Sequence, residues 1–178
     1  MRRVVVTGSE CTGKTTLAEA LAERYRTVWI PEYSRQFVRE KGRPPEYADV
    51  EAIARGQIGI EDDLASHGHD LVIQDTDLLS TVIYSRHYYG DCPRWIEDAL
   101  AKRTPDLYLL AGIDVPWTAD GSQRDRGHMR EEMHALFRRE LIERESRFIE
   151  VRGSHTTRMS VAQRAIGQHR ESPRGRNL

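Results

Sequence analysis

Residues 8–15 read Gly-Ser-Glu-Cys-Thr-Gly-Lys-Thr, which fits the pattern G-x-x-x-x-G-K-[ST]. The run 4–7 before it is mostly apolar and β-branched, and after it Leu17, Leu21 and Tyr25 recur at helical spacing. A strand, a glycine-rich turn and a helix in this order direct backbone N–H groups and a helix N-terminus at one place, which suits a polyphosphate. The pattern therefore predicts an α/β chain whose first β–α turn binds phosphates. A glycine-rich turn that only caps the helix is the alternative.

The residue types in this loop predict how a nucleoside triphosphate would be held. We expect Lys14 to reach the β- and γ-phosphate oxygens and the Thr15 hydroxyl to ligate Mg²⁺. Lys14 is one of only three lysines among 27 basic residues, so a lysine at this position is informative. Cys11 fills a variable position of the loop, where a small side chain is one interpretation and a reactive thiol near a helix N-terminus is the other. The predicted nucleotide-binding residues are Gly8, Ser9, Glu10, Cys11, Thr12, Gly13, Lys14, Thr15 and Thr16.

Five short apolar runs alternate with longer stretches of helical spacing along the chain. Runs that are apolar on both faces are typical of buried parallel strands, and helices between them give right-handed crossovers. The sequence therefore predicts a three-layer α/β sandwich around one parallel sheet. We expect a single domain over residues 1–168, followed by a frayed polar tail over 169–178. The predicted strands are 4–7, 28–30, 71–73, 107–110 and 148–151, and a short helix is predicted to start at Pro93.

Composition and charge exclude several classes of protein. A formal net charge of −1 argues against a protein that binds nucleic acid through its phosphates. No uncharged apolar run approaches the ~20 residues that span a bilayer, and the N-terminal apolar run is too short for a signal-peptide core. The chain is therefore expected to be cytoplasmic and to act on a small molecule, with no nucleic-acid or membrane partner. Cys11 and Cys92 can stay reduced, and assembly with copies of the same chain is left open.

Acidic residues follow two of the predicted strands, at the sheet edge where parallel α/β proteins bind ligands. Asp75 is predicted to complete the Mg²⁺ shell or to take the proton of an acceptor hydroxyl. For Asp77, a place in the site competes with a role as N-cap of the next helix. Glu32 could accept hydrogen bonds from sugar hydroxyls, and a surface salt bridge with Arg35 is its alternative. Which of these carboxylates acts as the base is left open.

A polar segment, 114–130, follows the fourth predicted strand and leads into a long helix. Small-molecule kinases often place a mobile lid here, whose arginines offset the charge on the transferred phosphoryl group while closure excludes water. Arg124 and Arg126 are predicted to act in this way. For Arg130 the alternative is an ion pair with a neighbouring carboxylate.

Three further blocks narrow the motif to one family. They are Pro-Glu-Tyr-Ser-Arg-Gln-Phe-Val at 31–38, Asp-Thr-Asp at 75–77 and Pro-Trp-Thr-Ala-Asp-Gly at 116–121. Over roughly residues 3–168 the chain resembles the nicotinamide riboside kinase domain of the NadR family, a P-loop kinase with an AAA-type ATP-binding domain. The resemblance implies a five-stranded sheet in the order 2-3-1-4-5. It also implies transfer of the γ-phosphate of ATP to the 5′-hydroxyl of nicotinamide riboside.

The resemblance also implies a substrate site. Glu32 and Asp77 would position the ribosyl group. Pro31 stands where family members carry a tryptophan suited to stacking on nicotinamide, so a nucleoside or deoxynucleoside kinase of the same fold is an alternative. A nucleotide-switched regulatory ATPase is a second alternative. The implied substrate-binding residues are Glu32, Tyr33, Arg35, Asp77 and Trp117.

Overall fold

The apolar runs form strands and the stretches between them form helices, over the residues 1–116 and 129–171 that the computed structural model describes. The strands are β1 Arg2–Thr7, β2 Val28–Ile30, β3 Leu71–Asp75, β4 Leu107–Ala111 and β5 Phe148–Val151. The helices are α1 Lys14–Tyr25, α2 Tyr33–Lys41, α3 Val50–Ala65, α4 Leu78–Tyr89, α5 Arg94–Lys102, α6 Arg130–Glu143 and α7 His155–Glu171, and a short 3₁₀ helix spans Tyr47–Asp49.

All strand pairs are parallel, and the sheet has the order β2-β3-β1-β4-β5. The fold class and the strand order expected from the sequence are thereby confirmed. The central strand is β1, where Val4 is aligned with Ile73 on one side and with Leu107 on the other. Because the strands all run in one direction, their carboxyl ends meet at one edge of the sheet, which is where this class of fold binds ligands.

Alternate residues of β1 pack against opposite layers of helices. Val4 and Val6 belong to a core that contains Leu21 of α1 and residues of α7. Val5 belongs to a second core that contains Phe137 of α6 and residues of α4 and α5. Burial of apolar side chains on both faces stabilises the three-layer arrangement.

The helix α2 is not expected from the sequence, because the predicted alternation of strands and helices has a single helix between the second and third strands. This helix is mostly polar and buries only Phe37, so its few apolar residues do not mark it as a helix that faces the core. Its first residue, Tyr33, packs its ring against Gly56 of α3, where a Cβ would collide with the ring. Close approach of α2 and α3 at this glycine therefore stabilises a helix that the hydrophobic pattern does not reveal.

Other boundaries shift by a few residues. The strand β3 continues through Gln74 to Asp75, and β1 already begins at Arg2. The helix α7 runs to Glu171, three residues beyond the domain boundary expected at 168. That boundary and the frayed tail stay predictions. In the part of the chain that the structure describes, no helix is both long and apolar enough to span a membrane.

Candidate active site

The turn from β1 to α1 depends on two glycines. Gly8 has a φ of 131°, and a Cβ there would lie 3.1 Å from the carbonyl oxygen of Ala111 at the end of β4. Gly13, the N-cap of α1, has a φ of 77° in the left-handed region. L side chains rarely adopt such φ values, so glycine is required at both positions. The segment 8–15, called the phosphate loop below, leads from β1 into the N-terminus of α1, as the motif predicts.

Lys14 lies inside this loop rather than in solvent. Its side chain is buried, and its Nζ donates a 2.8 Å hydrogen bond to the carbonyl oxygen of Ser9. The hydroxyl of Thr12 donates to the same carbonyl at 2.8 Å. The ammonium group is therefore held within the loop by the Ser9 carbonyl, and it adds a full positive charge at the N-terminus of α1.

The first turn of α1 meets the end of β3 through a side-chain hydrogen bond. The Thr15 hydroxyl donates to Oδ2 of Asp75 at 2.5 Å. Oδ1 of Asp75 is buried and has no hydrogen-bond partner among the described residues. Burial and the nearby charge of Glu32 raise the pKa of Asp75, whereas the Lys14 ammonium opposes that shift. A buried carboxylate with one oxygen available is thus placed beside the phosphate loop.

A cavity of about 430 Å³ opens from this point across the sheet edge. At one end it is lined by the phosphate loop, including Gly8, Lys14 and Thr15. Elsewhere its wall combines apolar and aromatic side chains with five charged ones, which are Glu32, Arg35, Arg39, Asp75 and Asp77. Such a combination is typical of a site for a small organic molecule. The wall residues include Trp29, Pro31, Val38, Val50, Ile53, Tyr84, Tyr88 and Tyr89.

Glu32 lines the cavity and is also paired. Its Oε1 accepts a 2.7 Å hydrogen bond from the Ser34 hydroxyl, and its Oε2 accepts one of 3.0 Å from Nε of Arg35. The salt bridge considered as an alternative is therefore present, but both of its partners face the cavity. The pair therefore places an oriented carboxylate at the cavity.

Tyr33 differs from its predicted place in the substrate site. Its ring lies on Gly56, and its backbone N–H donates a 2.9 Å hydrogen bond to Oε1 of Gln57. Gln57 is buried, lines the cavity and donates in turn to Glu61 at 3.2 Å. Tyr33 thus fixes α2 against α3, and Gln57 is one of the cavity residues that sequence reasoning missed. Nothing in the hydrophobic pattern of α3 distinguishes it from a surface glutamine.

Asp77 has both carboxylate oxygens engaged by the protein. The backbone N–H of Leu79 donates to Oδ1 at 3.0 Å, which makes Asp77 the N-cap of α4. The Tyr108 hydroxyl donates to Oδ2 at 2.7 Å. Burial raises the pKa of Asp77 to about 6. Of the two roles considered for Asp77, the structure shows the N-cap of α4. Asp77 also lines the cavity.

Two arginines, one in α6 and one in α7, donate hydrogen bonds to backbone carbonyls of the phosphate loop. Nη2 of Arg130 donates to the carbonyl oxygens of Cys11, at 3.2 Å, and of Val115, at 2.9 Å. Nη1 of Arg158 donates to the carbonyl oxygen of Thr12 at 2.6 Å. Arg158 was missed because nothing in the sequence separates it from the many other arginines. Among the described residues, the contacts of Arg130 are to backbone carbonyls rather than to a neighbouring carboxylate.

A family model described as an AAA domain matches residues 3–158. The chain belongs to the AAA domain family. Two curated relatives are the trifunctional NAD biosynthesis/regulator protein NadR of Escherichia coli and that of Salmonella typhimurium. Each is 29% identical over 125 residues, which is 68% of this chain and 30% of the relative. This AAA domain thus spans less than a third of the length of those relatives, and the resemblance to NadR is confirmed.

Solved structures support the fold of this AAA domain. A NadR protein in complex with NR superposes with a TM-score of 0.81 at 22% identity, covering 99% of this chain and 54% of that one. A thymidylate kinase from Candida albicans superposes with a TM-score of 0.70 at 14% identity, covering 95% and 92%. Both have the P-loop kinase fold that the sequence predicts.

Three predicted site residues of the AAA domain fall in the segment between β4 and α6. Trp117, Arg124 and Arg126 lie outside the described residues. Their roles in substrate binding and in the lid therefore stay predictions.

Proposed function

We propose that this AAA domain is an ATP- and Mg²⁺-dependent kinase that phosphorylates the 5′-hydroxyl of nicotinamide riboside and forms nicotinamide mononucleotide. The observation that carries the proposal is the contact between Thr15 and Asp75, which places the phosphate loop and a buried carboxylate at one end of a single cavity. The curated NadR relatives, together with a solved NadR protein in complex with NR, support the choice of acceptor. The reaction is expected in the cytoplasm.

The donor end would hold the triphosphate of ATP. Lys14 and the loop N–H groups would bind its β- and γ-phosphates, because the lysine is held within the loop at the N-terminus of α1, which is a favourable place for anions. The hydroxyl of Thr15 and the carboxylate of Asp75 fit Mg²⁺, because they are adjacent hard oxygen ligands beside the phosphate loop. Magnesium usually takes one or two protein ligands beside water and phosphate oxygens. The ion would supply charge neutralisation on those oxygens.

The acceptor end would bind the riboside in the apolar part of the cavity. The available Oδ1 of Asp75 would accept a hydrogen bond from the 5′-hydroxyl and take its proton. The carboxylate of Glu32 would accept hydrogen bonds from the ribose hydroxyls and attract the cationic pyridinium ring. Trp29 and Ser80 line the same cavity. Nε1 of Trp29 and Oγ of Ser80 are buried and have no hydrogen-bond partner among the described residues. These groups would meet polar atoms of the acceptor.

The lid would complete the site from the segment between β4 and α6. We assign Arg124 and Arg126 to closure over the triphosphate, where they would offset charge on the γ-phosphoryl group. Closure would also exclude water, which competes with the riboside for the phosphoryl group.

A second candidate is a kinase of the same fold that acts on another nucleoside. Pro31 lines the cavity where the NadR family carries a stacking tryptophan, so the ring of the acceptor is less restricted there. This candidate predicts a higher kcat/KM for another riboside or deoxynucleoside than for nicotinamide riboside.

The test measures ADP release by the full chain with ATP and Mg²⁺, with and without nicotinamide riboside, and identifies the product by mass spectrometry. Riboside-dependent ADP release together with nicotinamide mononucleotide is the expected result. Adenosine, thymidine and deoxycytidine serve as comparison acceptors at equal concentration. ADP release that no acceptor stimulates would instead indicate a nucleotide-switched ATPase.

A further inference from the structure

Arg158 is a buried arginine that connects three segments near the phosphate loop. It lies in the first turn of α7 and is 3% exposed. Its Nη1 donates to the carbonyl oxygen of Thr12 at 2.6 Å, and its Nη2 donates to that of Gly112 at 3.0 Å and to Oδ1 of Asp114 at 2.7 Å. Its Nε donates to the carbonyl oxygen of Gly153 at 3.1 Å. One planar guanidinium therefore fixes the phosphate loop, the end of β4 and the turn after β5.

The contact with Thr12 has a direct consequence for the phosphate loop. In a planar trans peptide, the carbonyl group and the following N–H group point in opposite directions. The guanidinium holds the Thr12 carbonyl on its own side, so the N–H of Gly13 is directed away from Arg158. Arg130 acts on the preceding peptide in the same way, because it binds the carbonyl oxygen of Cys11. Two adjacent peptides are thus oriented from behind by buried cations.

A cation on the carbonyl side also polarises the peptide. Hydrogen bonds to charged donors are stronger than neutral ones, and a polarised peptide is a better N–H donor on its opposite side. The contact with Asp114 fixes the direction of the guanidinium, and Asp114 also accepts a 2.5 Å hydrogen bond from the N–H of Gly153. The fork of Arg158 cannot rotate without breaking several of these bonds.

We propose that Arg158 is a positioning residue for the phosphoryl donor, which directs the Gly13 N–H toward the polyphosphate by holding the Thr12 carbonyl. The inference rests on the proposed function, since it concerns the site where the donor would bind. Arg158 acts through the loop backbone and makes no direct contact with the donor. Its removal is expected to weaken binding of the polyphosphate while the acceptor end stays intact.

The test measures binding of inorganic tripolyphosphate, with Mg²⁺, to the full chain by calorimetry. R158M is expected to lose about tenfold or more in affinity, because a charge-assisted hydrogen bond that orients the loop is lost. R158K keeps the charge but lacks the planar fork, so only part of the affinity should return. R164M is the matched control, because Arg164 is exposed on the same helix and should leave the affinity unchanged. In turnover assays R158M should raise the KM for ATP more than it lowers kcat.

D114N provides a second variant in case R158M does not fold, as judged by circular dichroism. Asp114 is partly exposed and holds the fork of Arg158, so D114N should weaken tripolyphosphate binding in the same direction by a smaller factor. Wild-type affinity in folded R158M or in D114N would overturn the proposal. Full recovery in R158K would also overturn it, because charge alone would then suffice.

The two proposals can fail separately. Tripolyphosphate binding requires no acceptor, so a loss in R158M supports the role of Arg158 even if nicotinamide riboside is not phosphorylated. A chain that phosphorylates nicotinamide riboside but binds tripolyphosphate equally well in R158M would keep the proposed function and remove the role of Arg158. A wild-type chain that binds neither tripolyphosphate nor ATP would remove both.

Discussion

The hydroxyl of Thr15 donates a 2.5 Å hydrogen bond to Oδ2 of Asp75, although the two residues are 60 positions apart in the chain. The sheet order explains the contact. The strand β1 leads into the phosphate loop and pairs in parallel with β3, so that Val6 is aligned with Asp75. The first residues after β1 and the last residue of β3 therefore meet at the same edge. The pairing of β1 with β3 therefore brings Thr15 and Asp75 together at the centre of the candidate site.

Substitution of Asp75 tests its role directly. Asp75→Asn keeps the shape of the side chain and an oxygen for the Thr15 hydroxyl, but it removes the proton acceptor. We expect kcat to fall about 100-fold or more, because a general base contributes about 10²–10⁴ in rate. The affinity for ATP should fall by a much smaller factor, because asparagine still offers an oxygen to Mg²⁺. Steady-state kinetics with varied ATP and varied acceptor separate the two effects. A large rise in the KM for ATP with an unchanged kcat would reassign Asp75 to donor binding.

Removal of the loop lysine should abolish turnover. Lys14→Ala takes the buried ammonium group away from the N-terminus of α1. A loss of at least about 100-fold in kcat/KM is expected, as for other groups that stabilise charge in the transition state. Lys102→Ala is the control, because Lys102 is exposed at the end of α5. Near-normal activity of folded Lys14→Ala, checked by its circular dichroism spectrum, would contradict the assignment of the phosphate loop.

Glu32 should affect the acceptor and not the donor. Glu32→Gln removes the charge that Arg35 and Ser34 orient at the cavity. The KM for nicotinamide riboside is expected to rise about tenfold or more, because a hydrogen bond to a charged group contributes about 1.5–3 kcal/mol. The KM for ATP should stay unchanged. Glu40→Gln, on the exposed face of α2, is the matched control. Equal effects of both variants would place Glu32 outside the acceptor site.

The fold and the donor end of the site could be predicted from the sequence because each depends on local patterns. The strands are short, mostly apolar runs, of which β3 and β4 are buried over their whole length. The phosphate loop has a fixed spacing of glycine, lysine and threonine. Asp75 follows such a strand, so its place at the sheet edge follows from the direction of the strands.

The residues that sequence reasoning missed depend on packing between distant segments. Tyr33 was assigned to the substrate site, but the absence of a side chain at Gly56 lets its ring pack against α3. Gln57 and Arg158 are buried polar residues on helices, where the spacing of apolar residues gives no sign of their partners. The role of Arg158 depends on three loops that meet only in the folded protein. No local sequence pattern shows that they meet.

Tyr108 should affect stability more than activity. Tyr108→Phe removes the hydroxyl that donates to Asp77, and it leaves a buried carboxylate oxygen without that hydrogen bond. The free energy of unfolding is expected to fall by about 1–3 kcal/mol, which is the usual cost of an unsatisfied buried group. Thermal unfolding of the variant checks this loss, and the KM for the acceptor should stay within about twofold of the wild-type value because Asp77 still caps α4. A large change in that KM without a change in stability would instead support direct substrate binding by Asp77.

The two thiols should differ in reactivity, and nucleotide should protect only one of them. Cys92 is buried, and that burial raises the pKa of its thiol to about 11, so little thiolate forms at pH 8. Cys11 is only half-buried and lies in the phosphate loop with a φ of 52°. We therefore expect iodoacetamide at pH 8 to alkylate Cys11 first, as read by mass spectrometry of the digested protein. ATP with Mg²⁺ should slow alkylation of Cys11, because a bound triphosphate covers the loop. In the control variant C11A, the alkylation that ATP slows should be absent. Labelling of Cys11 at the same rate with and without ATP would indicate that the nucleotide does not occupy this loop.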